Sequence, residues 1–118
     1  KNMSTYKNLT VWQRSIELCE EVYRATEKFP KSELYGLVSQ MRRCSISIPS
    51  NIAEGQRRGH KAEFTQFLRV SFGSGAELET QLFIALRIGY LQSQDFKRLN
   101  NILEEVMKML NKLISTVK

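Results

Sequence analysis

The stretch MRRCSISIPSNIAEGQRRG, residues 41–59, carries a helical pattern on both sides of a proline. Pro49 has no N–H, so the Ser45 carbonyl loses its helical donor, and the pyrrolidine ring presses on the same carbonyl. Two structures absorb this. One helix runs through position 49 with a kink, or the helix breaks and a new one starts with Asn51 as N-cap and Glu54 three residues later as a capping box. Phase favours the first. Met41, Ser45, Ile48, Ile52 and Gly55 hold one face across the proline without a slip, whereas a break shifts the register. Ser45 and Ser47 stand near enough to help solvate the freed carbonyl.

The same period extends outward. Leu9, Trp12, Ile16, Cys19 and Tyr23 form an earlier stripe, with Thr10 and Gln13 spaced for a capping box. Phe29-Pro30 ends that segment, because a residue before proline avoids the α region. Ser32 is the expected N-cap of the second helix, whose face continues back through Leu34, Leu37 and Val38 and stops at Gly59. A third stripe runs Phe64, Phe67, Leu68, Ser71, Gly75, Leu78, Leu82 and Leu86 and closes at Gly89. A fourth follows Ser93: Phe96, Leu99, Ile102, Leu103, Val106, Met109, Leu110, Leu113 and Val117. These predict helices over 9–28, 33–58, 62–89 and 94–117, each about 30–40 Å long. Short links force neighbours antiparallel. The expected fold is all-α, a single up-down-up-down four-helix bundle over residues 1–118 with its second helix kinked at Pro49.

Composition agrees with one soluble domain. The chain has 118 residues, 42% hydrophobic and 25% charged. No apolar run approaches the roughly 20 residues that span a bilayer, and KNMSTYKNL at residues 1–9 lacks the apolar segment of a secretory leader. A cytoplasmic location is expected. Cys19 and Cys44 are too few and too far apart for a zinc ribbon or CxxC site, and they are expected to be buried, reduced thiols.

Charge points to a partner class. The net charge is +6, and much of the excess lies between residues 42 and 69. There Arg42, Arg43, Arg57, Arg58, Lys61 and Arg69 face only Glu54 and Glu63. Such a cluster is either a solvated face or a surface for phosphate or an acidic partner. Guanidinium forks suit phosphate. Asn51, Glu54 and Arg58 share a stripe beside the core, and Gly55 lets a neighbouring backbone come close. That group reads either as an exposed ion pair worth a few tenths of a kcal/mol or as a buried polar network that sets register or joins subunits. Glu54 and Glu77 sit on helices that face each other.

Catalytic signals are weak. His60 is alone and at a helix start. GSG at 73–75 lacks the spacing of a phosphate loop and reads as a close helix–helix contact. Glu77 and Glu79, two apart, point in different directions, and no Glu-x-x-His metal motif occurs. No enzyme, cofactor or metal role is expected.

LTVWQRSIELCEEVY (9–23), FPKSELYGLVSQMRRCSISIPSNIAEGQRRG (29–59), EFTQFLRVSFGSGAELETQL (63–82) and ALRIGYL (85–91) resemble the bacterial four-helix bundle family named for open reading frames in 23S rRNA intervening sequences. The fold also looks related to the accessory variability protein of diversity-generating retroelements. The resemblance rests on Ser47–Gly55, on Gly36-Leu37 with Gln40, and on Gly73-Ser74 with Glu77-Leu78-Glu79. It implies a ring-like homopentamer with a basic surface and RNA, DNA or protein partners, and it adds Gln40 and Glu77 to the polar network or subunit contact. This chain departs from the family pattern at Cys44, Ser45, Phe72 and Gly75. The expected function is therefore a non-enzymatic oligomeric interaction module acting through the six basic residues. The alternative is a structural or scaffolding bundle with Trp12 or Tyr35 as an apolar anchor.

Overall fold

All four predicted stripes lie on helices of the computed structural model, which describes residues 5–117. The helices are α1 (Thr10–Thr26), α2 (Ser39–Arg57), α3 (Lys61–Arg87) and α4 (Ser93–Thr116). Contacts between them descend in register, which makes neighbours antiparallel. Cys19 meets Ser45 and Thr26 meets Arg42; Ile48 meets Ser71 and Ser47 meets Ser74. Thr65 reaches Val117, Phe83 packs on Phe96, and Arg14 reaches Glu105 where Glu21 reaches Arg98. The result is an up-down-up-down rod of 48 × 23 × 23 Å. Leu18, Val22, Met41, Ile48, Ile52, Leu68, Leu78, Leu82, Leu99, Leu103, Val106 and Leu110 fill its axis and are fully buried. Each such side chain contributes roughly 1.5–3 kcal/mol of burial.

α2 runs through Pro49 without interruption, so the phase argument holds for continuity. The orphaned Ser45 carbonyl finds its donor on another helix: the Cys19 thiol of α1 points at it, 3.1 Å away. The two serines expected to do this are occupied elsewhere. Ser45 Oγ donates back to the Arg42 carbonyl at 2.9 Å, and Ser47 Oγ faces Ser74.

Three expectations are corrected. The buried stripe of α1 is Val11, Ser15, Leu18, Val22 and Ala25. Leu9, Trp12, Ile16 and Cys19 form its half-buried flank, and Tyr23 is exposed. Apolar residues occupy both rows, so period alone does not rank them. Thr10 and Gln13 make no capping box. Thr5 and Asn8 form one around the 3₁₀ turn Tyr6–Asn8, while Gln13 Nε2 donates to the Lys7 carbonyl at 2.8 Å. Ser32 caps nothing. It lies in a 3₁₀ turn, Lys31–Glu33, followed by a turn, Leu34–Val38, kinked at Gly36, before α2 begins. Leu34, expected in the core stripe, is exposed at the start of this kinked turn.

That entry turn is built around Glu33. One carboxylate oxygen accepts the Leu37 N–H at 3.1 Å and the other accepts the Tyr90 hydroxyl at 3.1 Å. The Tyr90 phenol is raised above its usual range, first by this bond to Glu33. Gly36 (φ −113°, ψ −113°) makes room, since a Cβ there would lie 2.8 Å from Glu33 Oε1. At the other helix ends Gly59 (φ +79°) and Gly89 (φ +89°) are the predicted stops.

Candidate functional site

α2 and the start of α3 carry all six basic residues, and helix rise separates them. Sixteen residues part Arg42 from Arg58, about 24 Å along the axis. The cluster in sequence is therefore two groups near opposite ends of α2, not one patch.

Two of the six are engaged within the fold. Arg42 is half-buried. Its Nε donates to Thr26 Oγ1 at 2.9 Å, its NH2 donates to the Tyr23 carbonyl at 3.3 Å, and its guanidinium lies 4.4 Å from the Tyr23 ring centroid. With Glu27 also 3.8 Å from its NH2, it latches the C-terminal end of α1, where the helix dipole favours a cation. Arg58 donates to Glu54 at 2.8 Å, lies 3.7 Å from Glu63 and stacks 4.9 Å from the Phe67 ring. The bond to Glu54 raises its pKa further. Of the two readings for Glu54 and Arg58, the exposed i,i+4 pair is the one present.

The other four are exposed and make no ion pair among the described residues: Arg43, Arg57, Lys61 and Arg69. Arg57 also lies 5.8 Å over the Tyr6 ring. Fourteen residues separate Arg43 from Arg57, close to four helical turns, so both point outward from one side of α2 about 21 Å apart.

A polar groove of about 430 Å³ lies between α2 and α3. Gln40, Arg43, Cys44 and Ser47 form one wall, and Ser74 and Glu77 the other. It gathers three residues singled out in the sequence: Gln40, Arg43 and Glu77. Asn51 supports it from below, donating to the Ser47 carbonyl at 2.8 Å and to Ser47 Oγ at 2.9 Å. This leaves the Ser47 proton for Ser74 Oγ, 2.8 Å away. A cross-helix polar network therefore exists, and Asn51 belongs to it while Glu54 does not. Glu54 lies ten residues along α2 from Cys44, about 15 Å by rise, and Glu77 sits beside Cys44, so the two carboxylates do not meet. Sequence reasoning missed Ser47 and Ser74 as partners. The four-residue spacing of Ser47 and Asn51 was the available signal.

The groove is poorly suited to covalent chemistry. Burial first, then Glu77, pushes the Cys44 thiol up to about 11, so it is protonated at neutral pH and a weak nucleophile. Burial also raises Cys19. Among the described residues no group of three His, Cys, Asp or Glu side chains is placed to hold a metal. His60 is exposed at the residue before α3.

Gly55 does admit a neighbour: a Cβ there would lie 2.6 Å from Phe67 Cβ. Of the GSG glycines, Gly75 takes the Met107 side chain of α4, whereas Gly73 faces open space. Trp12 packs half-buried against Tyr6 with ring centroids 5.4 Å apart, so it is no free anchor. Tyr35 is 93% exposed. A second exposed apolar group, Phe83, Ile84 and Ile88, lies at the end of α3. No helix is long and apolar enough to cross a membrane among the described residues.

No curated protein matches the chain. A crystal structure of a protein of unknown function from the S23 ribosomal protein family of Bacteroides thetaiotaomicron is similar in fold, with a TM-score of 0.82 at 23% identity over 90% of this chain and 96% of that one. The model of the 23S rRNA-intervening sequence protein family matches residues 7–112. With that match spanning all four helices, the chain belongs to the 23S rRNA-intervening sequence protein family.

Proposed function

We propose that this chain is a non-enzymatic, self-associating interaction module of the cytoplasm that binds nucleic acid through a line of cations along α2. The observation that carries the reading is that Arg43 and Arg57 on one side of α2, and Lys61 and Arg69 on α3, are exposed with no carboxylate partner among the described residues. Arg42 and Arg58 support it from within the fold instead of contacting the ligand. Backbone phosphates are the fitting target, because guanidinium forks and a lysine ammonium match phosphate oxygens whatever the base sequence. Assembly as a homopentamer, and kinship with the retroelement accessory protein, belong to the same reading and rest on the sequence resemblance. Repetition of the line around a ring would multiply the local field.

Anisotropy of a labelled RNA or DNA oligonucleotide, titrated with the full chain over a salt series, tests this. Affinity should fall steeply with salt, since each neutralised phosphate releases counterions. Arg43→Ala with Arg57→Ala should weaken binding and flatten the salt slope by about two contacts. Absence of binding at low salt overturns the reading. The exposed apolar groups favour a second reading, a protein scaffold. In that case the double variant leaves partner capture intact and no nucleic acid is bound.

A further inference from the structure

Tyr35 presents its ring almost wholly to solvent, at 93% exposure, in a protein whose other described tyrosines are at most 39% exposed. The kinked turn Leu34–Val38, bent at Gly36, carries it at the entry to α2. The ring borders a groove of about 330 Å³ whose lining also includes Tyr23, Ser39, Arg42, Arg43 and Ile46. No carboxylate lines this groove, and two guanidiniums do. Arg42 is held rigid over Tyr23 by its bonds to α1. Arg43 is exposed and without an ion pair among the described residues.

An aromatic face beside free cationic charge is the chemistry that holds an unpaired nucleotide: the base stacks, and the guanidinium takes the phosphate. A duplex hides its base faces and offers Tyr35 nothing to stack on. We infer that Tyr35 and Arg43 form a stacking site for an unpaired base, which makes single-stranded nucleic acid the preferred ligand of the α2 surface. This rests on the nucleic-acid reading above and sharpens it. Arg42 is paired with Glu27 at 3.8 Å, which leaves Arg43 as the groove's unpaired cation. That free charge favours an anionic occupant over a second copy of the chain, whose Tyr35 face would bring a second Arg43 against the first.

The test compares a single-stranded oligouridylate with an RNA duplex of equal length, by anisotropy at low salt, for the parent protein and for Tyr35→Ala, Tyr35→Phe and Arg43→Ala. The single strand should bind the parent more tightly than the duplex. Tyr35→Ala should weaken single-strand binding about tenfold and leave the duplex unchanged. Tyr35→Phe, which keeps the ring, should restore it. Circular dichroism melts should be unmoved, because the side chain is exposed. Equal single-strand affinity for Tyr35→Ala and the parent, with Arg43→Ala still weakened, overturns the stacking site and spares the phosphate reading. A change in solution mass for Tyr35→Ala, with oligonucleotide affinity intact, overturns it in favour of a contact between copies. No binding by the parent overturns both.

Discussion

Arg42 and Arg43 are adjacent in sequence and alike in chemistry, yet under a third of a helical turn gives them different work. Arg42 leans toward α1 and closes its last turn through Thr26, the Tyr23 carbonyl and the Tyr23 ring. Arg43 faces outward between two grooves. Replacing Arg42 by Ala removes charged hydrogen bonds and a cation–π contact, and should cost about 1–3 kcal/mol in a urea melt. Arg43→Ala should move stability by no more than about 0.5 kcal/mol while weakening oligonucleotide binding. The stability part fails if both variants melt alike. Composition could count these arginines but not sort them. The sorting depends on which helix lies beside each, and α1 is placed there only by the tertiary fold. The same holds for Cys19. Nothing local to position 19 announces that its thiol will serve the carbonyl orphaned by Pro49 on a different helix.

At the scale of elements, close contact between α2 and α3 depends on Gly55 and is indifferent to Gly73. A methyl at Gly55 would meet Phe67 at its Cβ, an atom fixed to the backbone of α3, so the helices themselves must separate. Gly55→Ala should destabilise by about 1–3 kcal/mol despite its better helix propensity. A methyl at Gly73 would meet nothing within 4 Å, and the position is exposed on α3. Gly73→Ala should stabilise by about 0.5–1 kcal/mol. Thermal melts of the two variants should shift in opposite directions, and shifts of the same sign would discard this account of the helix contact. The helices, their order and their glycine stops were legible because a 3.6-residue apolar period and a left-handed terminal glycine are local signals. Continuity through Pro49 was legible for the same reason. The start of α2 was not. Its kinked entry turn is held by the Glu33 carboxylate bridging to Tyr90, fifty-seven residues away, and no local rule registers that partner. Half of the candidate site was visible in the same sense: Gln40, Arg43, Asn51 and Glu77 converge, but the Ser47–Ser74 link that joins their helices needed the register of α2 against α3.

The whole molecule is a rod with unlike ends. The antiparallel order brings the start of α2 and the end of α3 to one end, and Leu34, Tyr35, Phe83, Ile84 and Ile88 leave that end exposed and apolar. Arg57, Arg58 and Lys61 mark the opposite end. Phe83, Ile84 and Ile88 line one groove and Tyr35 another, with no residue in common. Exposed apolar side chains on the outer face of a core helix lose solvation free energy unless a partner covers them. In the proposed assembly that partner is a second copy, whose contact at the apolar end leaves the line of cations facing outward. Ile84→Ser with Ile88→Ser removes apolar contact area without changing charge, and both positions are half-exposed, so the fold should survive. Light scattering of the parent should give a multiple of the 13.7 kDa chain, and the double variant should shift toward a single chain. Oligonucleotide affinity should fall with it, because separate copies lose the avidity of a ring while each keeps its own Arg43 and Arg57. A variant that keeps the parent's mass would show that the α3 end is not the contact. A variant that becomes monomeric yet binds as tightly as before would show that one rod alone holds the ligand, and the ring would then owe its existence to something other than nucleic acid.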